Sequence, residues 1–134
     1  VYILNRQKGE MKKKVIYYED EENVRPVEEF INGLDSKTKI KVSARITLLQ
    51  EQWQELRRPY VDFLQGGLYE LRVVLFGNQV RVIYAYMFKD YIILLHAFHK
   101  RSDEVSQEDI SKARERMADF QKRVTQEKIK LPKI

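Results

Sequence analysis

The chain has 134 residues, 43% of them hydrophobic and 34% charged, which suits one globular domain with its own core and leaves too little length for two. It has no cysteine and two histidines, so a disulfide framework and a thiolate metal site are excluded, and no apolar run approaches the roughly 20 residues of a membrane span. A net charge of +5 favours a polyanionic partner, nucleic acid being the commonest.

The first methionine is Met11, and "VYILNRQKGE" ahead of it has only a three-residue apolar start with no long h-region. Residues 1 to 10 therefore read as an extension rather than a signal peptide, 11 to 124 as the single domain, and a cytoplasmic location is expected. "KKVIYYED" (13 to 20), with Val15, Ile16, Tyr17 and Tyr18, reads as a first strand. A short helix follows, with Pro26 in its first turn, Glu28 and Glu29 near its positive end and Gly33 as its stop. From Asp35, a good N-cap, a long helix runs through 36 to 56 with one stripe of Ile40, Ala44 and Leu48 and a neighbouring one of Val42, Ile46, Leu49 and Trp53. The two form an αα-hairpin whose apolar face needs a sheet to cover.

Residues 57 to 67, with Pro59 and Gly66-Gly67, read as a loop with a helical turn. Three strands are then predicted, 68 to 76, 79 to 88 and 91 to 101, joined by two-residue turns at Gly77-Asn78 and Lys89-Asp90 into an antiparallel meander. Ser106 and Asp109 stand in capping-box spacing, with Asp where Glu or Gln is usual, ahead of a helix that repeats Ile110, Ala113, Met117, Phe120 and Val124. Residues 125 to 134 read as a basic, mobile tail. The fold class is α+β: an N-terminal strand and helical hairpin on an antiparallel sheet of three to four strands, then a C-terminal helix.

With two-residue turns, residue 76 pairs with 79 and 88 with 91, and paired residues share a face. One face then collects Leu71, Val73, Leu75, Val80, Val82, Tyr84, Tyr86, Ile93, Leu95 and Ala97 for the helices. The other collects Glu70, Arg72, Arg81, Ile83, Ala85, His96, Phe98 and Lys100, with Arg72 opposite Ile83, Ile83 opposite His96 and Arg81 opposite Phe98. Like charges so gathered cost stability unless an anion neutralises them, and Glu70 is the one carboxylate on that face, so a phosphate ligand would resolve the conflict. In the competing reading Arg72 pairs with Glu70 or another acid, Arg81 reaches solvent, and "HKR" is a polar strand end. Arg57, Arg58 and Lys89 could extend a phosphate-tracking groove in which Tyr60, Tyr69 or Phe98 stack a base, although a solvated surface is the more ordinary role for each.

The series "LYELRVV", "QVRVIYAY", "LLHAFHKRS" and "ISKARERM" resembles the phage-derived Gp49-like, HigB-type branch of the RelE/ParE toxin superfamily, over roughly residues 13 to 122. The L-aromatic-E-L-R motif matches Leu68 to Arg72, R-x-x-Y matches Arg81 and Tyr84, L-L-H-x-F-x-K-K/R matches Leu94 to Arg101, and the helical alanine matches Ala113. Tyr69 stands where tryptophan is common, Ser106 where a proline often precedes the last helix, and His99 and Arg101 where the family varies or has lysine. The resemblance implies a RelE-like fold and an endoribonuclease toxin of a type II toxin-antitoxin system, an mRNA interferase acting on the ribosome without cofactor or metal. Its partners would be mRNA, the ribosome and a HigA-like helix-turn-helix antitoxin, with no membrane. A ribose 2′-hydroxyl would attack the adjacent phosphate and leave a 2′,3′-cyclic phosphate. Arg72 and Arg81 are the expected phosphate clamps, with Lys100 beside them and His96, its pKa lowered among cations, as acid or base. His99, Arg101, Phe98 and Lys89 are the expected RNA contacts, His99 or Arg101 being alternative proton donors. A ParE-like inhibitor of gyrase or another protein target is the competing function.

Overall fold

Local chemistry sets the helices. Pro26 occupies the start of α1 (Pro26–Asn32), where its missing N–H costs nothing, and Glu28 and Glu29 meet the positive end. Asp35 caps α2 (Ser36–Gln52) by accepting from the Thr38 N–H at 3.2 Å and its hydroxyl at 2.6 Å. Ser106 caps α3 (Gln107–Thr125) through the Asp109 N–H at 3.1 Å. On α2 the stripe of Val42, Ile46, Leu49 and Trp53 faces the core, whereas Ile40 is 69% exposed and Ala44 is exposed, so of the other stripe only Leu48 packs.

The computed structural model describes residues 12–133, and the 1 to 10 extension lies outside the described residues. Its sheet has five strands, β1 (Lys14–Tyr17), β2 (Val61–Phe63), β3 (Leu68–Leu75), β4 (Asn78–Met87) and β5 (Tyr91–His99), in the order β1-β5-β4-β3-β2. The predicted meander forms the centre, and β1 runs parallel to β5 at one edge. The other edge is β2, three residues inside the predicted loop, returned onto β3 through the Gly66-Gly67 turn. Gly66 has φ of 55°, a left-handed conformation that glycine adopts without strain, and the Arg114 guanidinium lies over it where a Cβ would come within 2.7 Å.

Two registers differ from those predicted. The β3–β4 turn is Phe76-Gly77, with Leu75 opposite Asn78, so every pair moves by two residues: the faces are kept, but Arg72 now stands opposite Arg81 and Ile83 opposite Glu70. The β4–β5 connection takes three residues, with Phe88 and Lys89 at positive φ, and a β-bulge lies between Ile83 and Tyr84. Ile83 pairs with His96 and Tyr84 with Leu94, so Leu95 is the extra residue. The three-residue turn slips the first half of β5 by one residue and puts Ile93 and Leu95 on the face opposite the one predicted, and the bulge restores the predicted phase from His96 onward.

Both faces are covered. α1 and α2 lie over Leu71, Val73, Val80, Val82, Tyr84, Ile92 and Leu94. α3 packs Ile110, Ala113 and Phe120 over Leu68, Ile83, Ala85, Ile93 and Leu95, so the predicted cationic face is apolar along most of its length and polar only at one end. The segment after α3 is held rather than free, since Ile129 and Leu131 pack on this second cluster and the Tyr91 hydroxyl donates to the Pro132 carbonyl. Phe120 is 2% exposed at the centre of the α3 layer, and Phe120→Ala is expected to lower unfolding free energy by about 3–5 kcal/mol, read from urea midpoints at constant m.

Candidate active site at the polar end of the sheet

The register shift sets two guanidiniums directly across β3 and β4 from one another, and a buried carboxylate holds them. Glu70, 2% exposed, accepts from Arg72 Nε at 2.8 Å on one oxygen and lies 3.5 Å from Arg81 Nε on the other. Asp62 of β2 adds a second acid, 3.1 Å from an Arg72 terminal nitrogen. The conflict of like charges is thus answered within the chain, in the manner of the competing reading for Arg72. Arg81 departs from that reading: it is 7% exposed and is buried rather than reaching solvent. Its remaining donors rest on the Val80 carbonyl at 3.3 Å and the Gln79 side chain at 3.4 Å, both long for N–H···O bonds. Burial lowers its pKa first, with Arg72 adding to the effect and Glu70 opposing it.

A second constellation comes from α3. Asp109, 6% exposed, has one carboxylate oxygen 2.7 Å from His96 Nε2, and its other oxygen accepts from the Ser106 hydroxyl at 2.7 Å and from Arg101 at 2.9 Å. Burial alone would raise the Asp109 pKa, but the hydrogen bonds from His96 and Ser106 and the charge of Arg101 outweigh it and hold the group ionised. His96 is lowered, first by burial and further by the cations Arg116 and Lys112, with Asp109 opposing. The expected direction holds, but its cause is desolvation and the cations on α3 rather than Arg72 and Arg81. Neutral His96 fits a tautomer with Nε2–H toward Asp109 and Nδ1 facing an Arg116 N–H at 3.4 Å.

Between these groups lies a polar cleft of about 210 Å3, walled by the 100 to 106 loop, with Arg72, Arg81, Lys100, Arg101 and Asp109 along it. Of the eight residues singled out from the sequence, Arg72, Arg81, Lys100, Arg101 and Phe98 come together there. His96 stands behind the cleft, stacked on Phe98 at 5.5 Å and joined to it through Asp109. Phe98 itself is 7% exposed, a floor rather than a stacking platform. His99 points to the other face of the sheet, against Phe30 at 5.0 Å, and Lys89 sits at positive φ in the β4–β5 turn at the opposite end of the strands. Neither Asp62 nor the pairing of Asp109 with His96 and Arg101 follows from residue order, where the only signal is an Asp at the capping-box position. Among the described residues no three His, Cys, Asp or Glu side chains converge as a metal site requires, and no helix is long and apolar enough to cross a membrane.

The family model described as phage-derived protein Gp49-like (DUF891) matches residues 29–118, from within α1 into α3, a span that includes every residue of the cleft. No curated protein matches the chain significantly.

Two outcomes follow from this geometry. Glu70→Gln leaves two guanidiniums opposed without their shared charge and is expected to cost about 3 kcal/mol in urea unfolding. Because folding lowers the His96 pKa, the unfolded chain binds more protons below the ordinary value of about 6.5. The His96 contribution is therefore complete above about pH 6.5 and lost as pH falls through the folded value. Urea midpoints should drop more between pH 7.5 and 5.5 in the wild type than in His96→Gln; equal drops would exclude His96 as the source.

Proposed function

Because the chain belongs to the Gp49-like family, a family of RelE/HigB-like toxins that implies a cognate antitoxin, we propose that it is the toxin of a type II toxin-antitoxin system and cleaves mRNA on the ribosome. The observation that carries this reading is Arg81, a buried arginine at the base of a polar cleft, held only by contacts of 3.3 to 3.5 Å and flanked by Lys100 and Arg101.

A guanidinium so loosely held can turn its fork to two phosphate oxygens while giving up little. Arg72 has shorter contacts, 2.8 Å to Glu70 and 3.1 Å to Asp62, so it keeps Glu70 in place and adds its charge through space. In the proposed reaction the ribose 2′-oxygen bonds to phosphorus, the bond to the 5′-oxygen breaks, and the products are a 2′,3′-cyclic phosphate and a 5′-hydroxyl. Arg81, Lys100 and Arg101 offset the negative charge that gathers on the phosphorane. Lys100, whose ammonium lies a long 4.0 Å from Asp103, gives the proton to the leaving 5′-oxygen. Asp109 is the carboxylate assigned to take the proton of the attacking 2′-hydroxyl, and His96 acts through it as a positioning residue.

An ionised carboxylate with three hydrogen-bonding partners is a weak base, so the substrate must arrive already aligned. That is the physical reason for assigning alignment to the ribosome, and for expecting little cutting of free RNA. The antitoxin is proposed to be a small HigA-like helix-turn-helix protein that blocks entry to the ribosome.

The test is 5′-end mapping of a defined mRNA incubated with the protein, with and without programmed ribosomes. Cuts are expected only with ribosomes, and reduced at least about 100-fold in Arg81→Ala with its far-UV circular dichroism unchanged. Protein that arrests growth yet yields no cuts in either mixture overturns the nuclease and leaves a ParE-like action on gyrase or another protein.

A further inference from the structure

A second depression, of about 810 Å3, opens where α2 stops at Gln52 and the chain turns away toward β2. Its floor is the half-buried Tyr69 and Tyr86 of the helix-covered face, backed by the buried Tyr84, with Tyr69 stacked on Tyr84 at 5.7 Å and edge-on to Tyr86 at 5.1 Å. Trp53 forms one wall, 5.5 Å from Tyr86, and Phe63 the other, 5.3 Å from Tyr69 and 55% exposed. Arg57 and Arg58 stand at the rim, and Arg45 lies over Tyr60 at 4.4 Å nearby. The volume lies within the roughly 300–1,000 Å3 of small-molecule sites.

The tyrosine floor lies on the sheet face opposite the cleft, and the edge strand β2 connects the two: Asp62 lines the groove, and one of its oxygens accepts from Arg58 at 3.0 Å and from Arg72, a residue of the cleft, at 3.1 Å. Held by two guanidiniums, that carboxylate presents no net repulsion to a phosphate. Flat rings bordered by arginines are what a nucleobase and its phosphate need: stacking area from Trp53, Phe63, Tyr69 and Tyr86, and a cationic fork. Arg57 commits one terminal nitrogen to the Gln54 and Leu56 carbonyls and Arg58 meets Asp62, and the exposed remainder of each fork is open to a phosphate, for which a plain apolar segment has no use.

We propose that this groove is a nucleobase-binding subsite for single-stranded RNA, seating a base that flanks the cut while Arg57 and Arg58 hold the adjoining phosphate. The inference rests on the RNA reading of the cleft, and its test is separable because it needs no cleavage. Trp53 is the chain's single tryptophan and lines the groove, so its fluorescence reports occupancy directly.

The probe is an unstructured 2′-O-methyl hexanucleotide, which has no 2′-hydroxyl to attack. Saturable quenching of Trp53 is expected, with affinity about tenfold lower in Phe63→Ala and in the Arg57→Ala, Arg58→Ala double variant. All three positions are exposed, and circular dichroism is the check that the variants fold. An abasic oligonucleotide of the same length should quench poorly. Equal quenching by the abasic strand, unchanged affinity in both variants, or no quenching at all overturns the proposal. So does equal quenching by hexaglutamate, which would make the groove a site for an acidic protein segment. Quenching without any mRNA cuts retains the groove and rejects the nuclease; cuts without quenching do the reverse.

Discussion

The buried carboxylate of Glu70 is the constraint on which the polar end of the molecule depends. The β3–β4 register places Arg72 and Arg81 directly opposite, an arrangement that destabilises a sheet through like-charge repulsion unless a counter-charge lies between them. Glu70 supplies it from the same face and at 2% exposure, where an unpaired charge of either sign would be costly. Once Arg72 is held, Asp62 is drawn into the same network, and with it β2, a strand of three residues. One ionic cluster therefore links the central strands to the edge and leaves Arg81 as the member with the loosest contacts.

The second half of the cleft is assembled from a different part of the chain. Asp109 is both a residue of the first turn of α3, where the helix dipole favours an acid, and the carboxylate that gathers His96, Ser106 and Arg101. The helix that closes one layer of the core thereby also sets the polar wall, and packing of Ile110 and Ala113 against the sheet fixes where that carboxylate sits.

Much of this was legible in residue order. Periodicity, capping residues and glycines located α1, α2, α3 and the three central strands within a few residues, because each signal is local. The parity of the strands survived a turn misplaced by one position at each end, since a shift of two residues keeps every side chain on its face. What failed was what local signals do not carry. β2 is too short and too close to Pro59 and the glycine pair to show a period, so Asp62 went unseen. The three-residue β4–β5 turn reversed Ile93 and Leu95 until the bulge restored the phase, and the stripe through Ile40 faced water because α2 offers two nearly equal apolar stripes and the sheet covers one. At the site, the gathering of Arg72, Arg81, Lys100 and Arg101 followed from parity and proximity in sequence; the contacts from Asp62 and Asp109 are long-range and had no pattern to announce them.

The bulge at Leu95 divides β5 into two parts that obey different alternations. In the first, odd-numbered residues enter the α3 layer; in the second, even-numbered ones do, so His96 and Phe98 share a side with Ile93 and Leu95. One strand thus behaves as two short ones joined in line, one devoted to packing and the other to polar chemistry. Divergence in the packing half need not propagate into the polar half, because the irregularity between them absorbs the change of phase. A strand built this way serves both the core and the cleft from a single stretch of backbone.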